Sequence, residues 1–287
     1  MTEDIVYLNG KFLHREKAKV SIFDRGFLMA DGVYEVIPVV RGVLVNRKAF
    51  WERFERSMRA LDLLWPLERE ALEEMLRELI RHNALEEGGV YLQVSRGVSF
   101  ERIFGYPEGI APTLMAFCFS KAILDSPEAR RGVTVATVED IRWKRRDIKS
   151  IALLGQCMAK EAAKKPGAYE GWMVEEGFVT EGVASSAYIV KKGRIITRPL
   201  TNAILPGIRR KVLLELAPAH GIEVELRPFT VAEAYEADEA FLSSATTLVY
   251  PVVVIDGRKV GDGRPGPVTE KMRRLYIETL LREAAGG

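Results

Sequence analysis

The chain has 287 residues, enough for two domains with separate cores. Hydrophobic content of 47% and charged content of 29% describe an ordinary soluble globular protein rather than a disordered one. Lys plus Arg at 42 against Asp plus Glu at 40 leaves a net charge of +2, too balanced for a nucleic-acid or anionic-membrane binder.

The first part reads as hairpins followed by helices. In "IVYLNGKFL", Asn9-Gly10 sits between apolar stretches, a two-residue hairpin signal, and "VYEVIPVVRGVLV" repeats it at Arg41-Gly42. Phe50, Phe54, Met58, Leu61 and Leu64 then fall at helical spacing, and "LEREALEEMLRELIRHN" gives a second amphipathic helix. Strands follow at "GVYLQVSRG" and "TLMAFCFSKA". Periodicity is lost over 122–132, where a short interdomain linker is expected between a domain at 1–121 and another at 133–287.

The second part opens with strand "VTVATV", a basic run and a helix from Ile151 to Lys165 with Ser150 as its N-cap. Strands are expected in "GWMVEEGFVTEG" and "AYIVKKGRIIT", a helix at "LPGIRRKVLLELAPAHG" with Pro206 near N1, strands across "EAFLSSATTLVYPVVVIDGRKV" and a closing helix. The pattern is α+β in two domains, rich in antiparallel pairing.

Several functions are set aside on the same reading. Gly261 to Gly266 fits G-x-G-x-x-G, but no parallel strand and no acidic ribose ligand follow it, so a dinucleotide site is not expected. Cys118 and Cys157 form no C-x-x-C, and His14, His82 and His220 are scattered, so no metal site is expected. The apolar runs are strand-sized, which argues against a membrane span. Without a secretory h-region after Met1, a reducing cytoplasmic setting is expected.

Four stretches could carry chemistry. Lys149 lies in "IRWKRRDIKSI", among Arg142, Lys144, Arg145 and Arg146; like charges and burial favour a neutral lysine, the form a Schiff base requires. Spacing alone fits a solvated basic face better. Glu181 in "FVTEGVASSAY" reads as a turn carboxylate, or as the partner of a cationic heteroaromatic nitrogen. The helix start at "ILPGIRRKV" offers free amides to a phosphate, or is an ordinary helix start. Ser243, Ser244, Thr246 and Thr247 could do the same or merely finish a strand. Their order, an amine, a carboxylate and two anion anchors, answers the needs of one cofactor.

Those residues carry a resemblance. The stretches "DRGFLMADGVYEV", "VYLQVSRG", "VEDIRWKRRDIKSIALLGQCMAKEAA", "VTEG" and "ILPGI" make the chain similar to the fold type IV pyridoxal-phosphate transaminases, most of all to their bacterial D-amino acid branch. The resemblance implies a small α/β domain, a larger β-barrel-like domain, a site between them and a homodimer. It implies pyridoxal 5′-phosphate as cofactor, with Lys149 as Schiff-base lysine and proton shuttle and Glu181 at the pyridine nitrogen. Arg53, Ile208, Arg209 (through its amide), Ser244, Ala245 and Thr246 would anchor the phosphate, Leu205 would pack beside the ring, and Tyr34 would line the substrate pocket.

The implied activity moves the amino group of a D-amino acid to a 2-oxo acid in two half-reactions. Branched-chain L-amino acid or (R)-amine transamination and aminodeoxychorismate lyase activity are the alternatives on the same fold, and an inactive scaffold is the non-enzymatic one. Two departures stand out. The Ser-Pro-Arg-x-His stretch of familiar D-amino acid transaminases is replaced by Ser99-Phe100-Glu101-Arg102-Ile103, leaving Arg102, Arg96 and Arg25 as candidates for the substrate carboxylate. Arg209 stands where many of those enzymes have threonine.

Overall fold

The computed structural model describes residues 4–286, which divide into two units. The first runs to Ala122 and also takes in Ile148–Ala152 and the segment from Glu283; the second holds Ile123–Asp147 and Leu153–Arg282. The chain therefore returns to the first unit for five residues around Lys149, which a single boundary near residue 122 does not anticipate.

In the first unit, β1 (Ile5–Leu8), β2 (Lys11–His14), α1 (Arg25–Met29), β3 (Gly32–Val40), β4 (Val43–Leu44), α2 (Arg47–Ala60), α3 (Arg69–His82), β5 (Glu87–Ser95) and β6 (Thr113–Ser120) follow one another. The strands form one antiparallel sheet in the order β2-β1-β6-β5-β3-β4. Helix α2 packs on β3, and α3 on β1 and β6. Phe50, Phe54 and Met58 of α2, four residues apart, are buried, as are Leu72, Leu76 and Leu79 of α3. The helical stripe stops short of the expected Leu61 and Leu64: Asp62 is left-handed (φ 48°), and Leu64 is exposed.

The second unit begins with α4 (Pro127–Arg131) and β7 (Val133–Glu139). So the expected linker is in part a helix, started by Ser126, whose hydroxyl accepts from Ala129 N at 3.2 Å, with Pro127 behind it. Next come α5 (Leu154–Lys164), β8 (Glu170–Glu175), β9 (Phe178–Gly182), β10 (Ser186–Lys191), β11 (Arg194–Thr197) and α6 (Ile208–Ala219). Then follow β12 (Val224–Leu226), α7 (Val231–Tyr235), β13 (Glu239–Ser244), β14 (Leu248–Ile255), β15 (Arg258–Lys259) and α8 (Pro267–Gly286).

The nine strands form a mixed sheet, β12-β11-β10-β13-β14-β7-β8-β9 with β15 on β14; the β11/β12, β14/β7 and β7/β8 pairs are parallel. Outside this ladder β9 also touches β10, so the sheet curls back toward itself. Its core includes Trp172, Phe229, Leu242, Tyr250 and Val252. Tight turns set the registers: Asn9-Gly10, Arg41-Gly42 and Asp256-Gly257 have positive φ at both positions, the geometry that matches strand twist. The architecture is α+β.

Candidate active site

Lys149 is fixed through its backbone. Residues 148–151 run beside the start of β3 like a stub of strand: Tyr34 N donates to Lys149 O at 3.0 Å, Ile151 N to Gly32 O at 3.1 Å, and Val33 and Ser150 form an isolated antiparallel bridge. Lys149 N donates to Ser57 Oγ of α2 at 3.3 Å. Because this pairing claims residues up to Ile151, α5 starts only at Leu154, with Leu153 as an N-cap that makes no side-chain bond. Ser150 is therefore not the cap; its hydroxyl accepts from Ala152 N at 3.0 Å in a local turn.

The Lys149 amine lies 4.2 Å from the centre of the Tyr34 ring. Tyr34 stacks on Tyr91 (5.3 Å between centroids) and Tyr91 on Phe117 (4.8 Å). Burial, with Tyr34 beside it, pushes the Tyr91 phenol well above its ordinary range. The amine thus faces a stacked aromatic wall, and no carboxylate among the described residues pairs with it.

The basic run is not a set of mutually repelling charges. Arg142 holds Asp140 through Nε and Nη2 (2.9 and 2.7 Å) and Glu181 through Nη1 (2.5 Å). Arg145 pairs with Asp147, and Arg146 with Glu175 at 2.9 and 3.0 Å and with Asp140 at 3.3 Å. Two of the four acids, Glu175 and Glu181, come from other segments, so half of the compensation is hidden from the run itself.

Glu181 is a buried residue of β9 and not a turn carboxylate. Besides Arg142, its two oxygens accept from Leu205 N at 3.1 and 3.2 Å. Burial pushes its pKa up, and the Arg142 guanidinium and the Leu205 amide oppose that. Burial works against Arg142's charge too, but Asp140 and Glu181 outweigh it and hold the guanidinium charged. Asp140 also accepts from Thr180 Oγ1 at 2.6 Å, and Arg142 and Thr180 help keep its carboxyl below the usual range against burial. Asp140, Arg142 and Thr180 were missed by the sequence reading; Asp140-x-Arg142 was the available signal.

Leu205 leads directly to α6. That helix begins at Ile208, with Gly207 as an N-cap lacking any side-chain bond, which moves Pro206 out of the helix. A Cβ on Gly207 would crowd Ser186 Oγ at 2.9 Å, a contact that turning the hydroxyl relieves. Arg209 is buried, and its guanidinium reaches Ala245 O at 2.7 Å. Ala245, Thr246 and Thr247 form the turn between β13 and β14, where Ser244 and Thr247 share a hydroxyl contact of 3.0 Å.

In the second unit, a buried carboxylate with its own arginine and an uncapped helix start tied by Arg209 to a hydroxyl-bearing turn are groups suited to a basic ring nitrogen and to a phosphate. In the first unit, the Lys149 amine against its aromatic wall is a group suited to a carbonyl compound. Residues 32–255 match the model of the amino-transferase class IV family. The chain is a class IV aminotransferase.

This aminotransferase is 42% identical over 280 residues to the D-alanine aminotransferase of Staphylococcus haemolyticus, covering 96% of this chain and 98% of that one. It is 36% identical over 282 residues to that of Bacillus licheniformis, covering 98% of each. Among solved structures it is similar to the branched-chain amino acid aminotransferase of Escherichia coli (TM-score 0.91, 25% identity, 97% and 95% coverage). It is also similar to the branched-chain aminotransferase of the thermophilic archaeon Thermoproteus uzoniensis with norvaline (TM-score 0.85, 26% identity, 97% and 95% coverage).

The remaining sequence candidates of this aminotransferase are placed as follows. Arg53 of α2 is buried and makes a two-pronged bond to Glu35 of β3 (2.8 and 2.6 Å). Arg25 and Arg96 converge on Asp31, at 2.7 Å and at 2.8 and 3.1 Å. Arg96 is buried and also bonded to Leu61 O and Asp62 O. Arg102 is exposed beside Phe104, without an ion pair among the described residues. No group of three or more His, Cys, Asp or Glu among the described residues could hold a metal, and no helix is long and apolar enough to cross a membrane.

Proposed function

We propose that this aminotransferase moves the amino group of a D-amino acid, D-alanine among them, to a 2-oxo acid, with pyridoxal 5′-phosphate as cofactor. The observation that carries this is the near full-length likeness to D-alanine aminotransferases at 36–42% identity, against 25–26% for the two branched-chain enzymes of similar fold. The bound cofactor supplies an aldehyde that accepts the substrate amine and a ring that withdraws electrons from the substrate's α-carbon.

The chain supplies the rest. Lys149 would provide the amine that holds the cofactor and then carry the proton between the substrate Cα and cofactor C4′. Its fixed backbone and the Tyr34 ring limit where that amine can swing. Glu181 places negative charge at the ring nitrogen, with Arg142 and Leu205 N fixing the carboxylate. The Ile208 and Arg209 amides, with Ser244, Ala245 and Thr246, would hold the phosphate, and Arg53 would add charge to it. Leu205 would flank the ring. Arg25 and Arg96 are bound to Asp31, which leaves Arg102 as the arginine proposed for the substrate carboxylate. Amino acid in, oxo acid out, then the reverse with a second oxo acid, gives ping-pong kinetics. The working form proposed is a homodimer in the cytoplasm.

The test is a half-reaction. D-alanine, L-leucine and (R)-phenylethylamine are added separately to cofactor-loaded protein while its visible band is followed. Bleaching by D-alanine alone is expected. Bleaching chiefly by L-leucine or the amine would move the function to a sister activity, and a Lys149→Ala variant that bleached normally would remove the lysine from its role.

A further inference from the structure

The two segments proposed to hold the phosphate, the α6 start and the Ala245–Thr246 turn, are 36 positions apart between Arg209 and Ala245, yet one side chain ties them together. Arg209 Nη2 and Nε donate to Ala245 O at 2.7 and 3.3 Å, and Nη1 donates to Tyr276 Oη of α8 at 2.9 Å. The guanidinium also lies 5.1 Å from the centre of the Tyr276 ring, and both residues are buried. A carbonyl and the amide N–H of the next residue belong to one rigid peptide plane and point in opposite directions. Holding Ala245 O on the guanidinium therefore aims the Thr246 N–H to the opposite side.

The far end of the turn is braced as well. Arg273 Nη1 donates to Thr247 O at 3.0 Å and Val249 O at 2.9 Å. Between those carbonyls sits Leu248, buried and left-handed at φ 56°, a conformation a leucine keeps only where its surroundings enforce it. The turn is thus held at both ends by guanidinium groups bonded to its carbonyls.

We propose that Arg209 is a positioning residue for the cofactor phosphate: it orients the Ala245–Thr246 peptide so that the Thr246 amide serves the phosphate, and it acts through that peptide. This rests on the pyridoxal-phosphate reading above. Tyr276 completes the device by orienting the guanidinium.

The test compares binding of pyridoxal 5′-phosphate and of pyridoxal, which lacks the phosphate, to the full chain stripped of cofactor. The proteins are wild type, Arg209→Met and Tyr276→Phe, each checked for its melting temperature without cofactor. Arg209→Met should weaken pyridoxal 5′-phosphate roughly ten- to a hundredfold while pyridoxal binding changes by no more than about twofold. Tyr276→Phe, which removes one hydroxyl and keeps the packing, should shift the same ratio in the same direction by a smaller factor. An unchanged ratio in a folded Arg209→Met, or in Tyr276→Phe if the first variant does not fold, overturns the proposal and leaves the cofactor reading standing. A wild-type chain that binds neither compound overturns both.

Discussion

Glu181 occupies a position where a lone carboxylate would be driven to its neutral form, because a strand interior offers no water to the charge. Its ability to act as an anion depends on Arg142, and Arg142 in turn is held by Asp140, so the carboxylate proposed for the ring nitrogen is the end of a three-residue chain. Glu181→Gln keeps the side-chain volume and an acceptor for Leu205 N, and Arg142 keeps Asp140. The fold should survive while kcat with D-alanine falls by roughly 10²–10³, the usual cost of losing one preorganised electrostatic group. Steady-state kinetics beside a cofactor-content measurement checks this. A variant within about twofold of wild type would show that the carboxylate does not serve the ring. Glu181 and Lys149 were legible as residue types in order along the chain. Their surroundings were less so: Asp140-x-Arg142 is a local pair, but the reach of Arg142 to Glu181 and of Ser57 to Lys149 N is tertiary pairing that no spacing rule encodes.

At the scale of elements, the first strand of chemical consequence is β3, whose opening residues hold the Lys149 segment on one side and β5 on the other. Gly32 is where the two meet: a Cβ there would lie 2.6 Å from Val94 O, 2.9 Å from Ser95 Cα and 3.0 Å from Ile151 Cδ1. The two backbone atoms both belong to β5, so a methyl group can be admitted only by shifting β3 against β5, and the Lys149 stub is bonded to β3. Gly32→Ala should cost about 1–3 kcal/mol of stability and lower the rate of the D-alanine half-reaction more than it lowers cofactor content. Chemical denaturation and single-turnover absorbance measure the two effects; a variant of unchanged stability and rate would show that the stub is not held by this contact. Hairpins at Asn9-Gly10 and Asp256-Gly257 were legible because a turn dipeptide fixes its own geometry locally. The late start of α5 and the helical piece within the expected linker were not. The first is decided by pairing with β3, and the second hides in five residues, too few for periodicity to show.

For the whole molecule, the stretch that replaces the substrate carboxylate clamp and the one around Phe27 leave apolar side chains in water. In the first unit Phe27, Phe100 and Phe104 are 70%, 79% and 80% exposed, and the Phe23 and Phe100 rings meet at 5.4 Å. Single exposed apolar residues are ordinary, but large aromatics repeated over two short stretches are the kind of surface a partner can cover. A second copy of the chain is the proposed partner. Burying one such ring contributes roughly 1.5–3 kcal/mol, so a Phe100→Asp, Phe104→Asp variant should weaken self-association by about a hundredfold or more. Sedimentation of cofactor-loaded wild type and variant over a range of concentrations measures it. If these rings lie at the interface, the variant dissociates where wild type stays dimeric, and its half-reaction with D-alanine slows if the neighbouring Arg102 depends on that contact to meet the substrate carboxylate. A wild-type chain that sediments as a monomer would remove the dimer from the proposal. A dimer indifferent to both substitutions would place its interface elsewhere, and the exposed rings would then call for a different occupant.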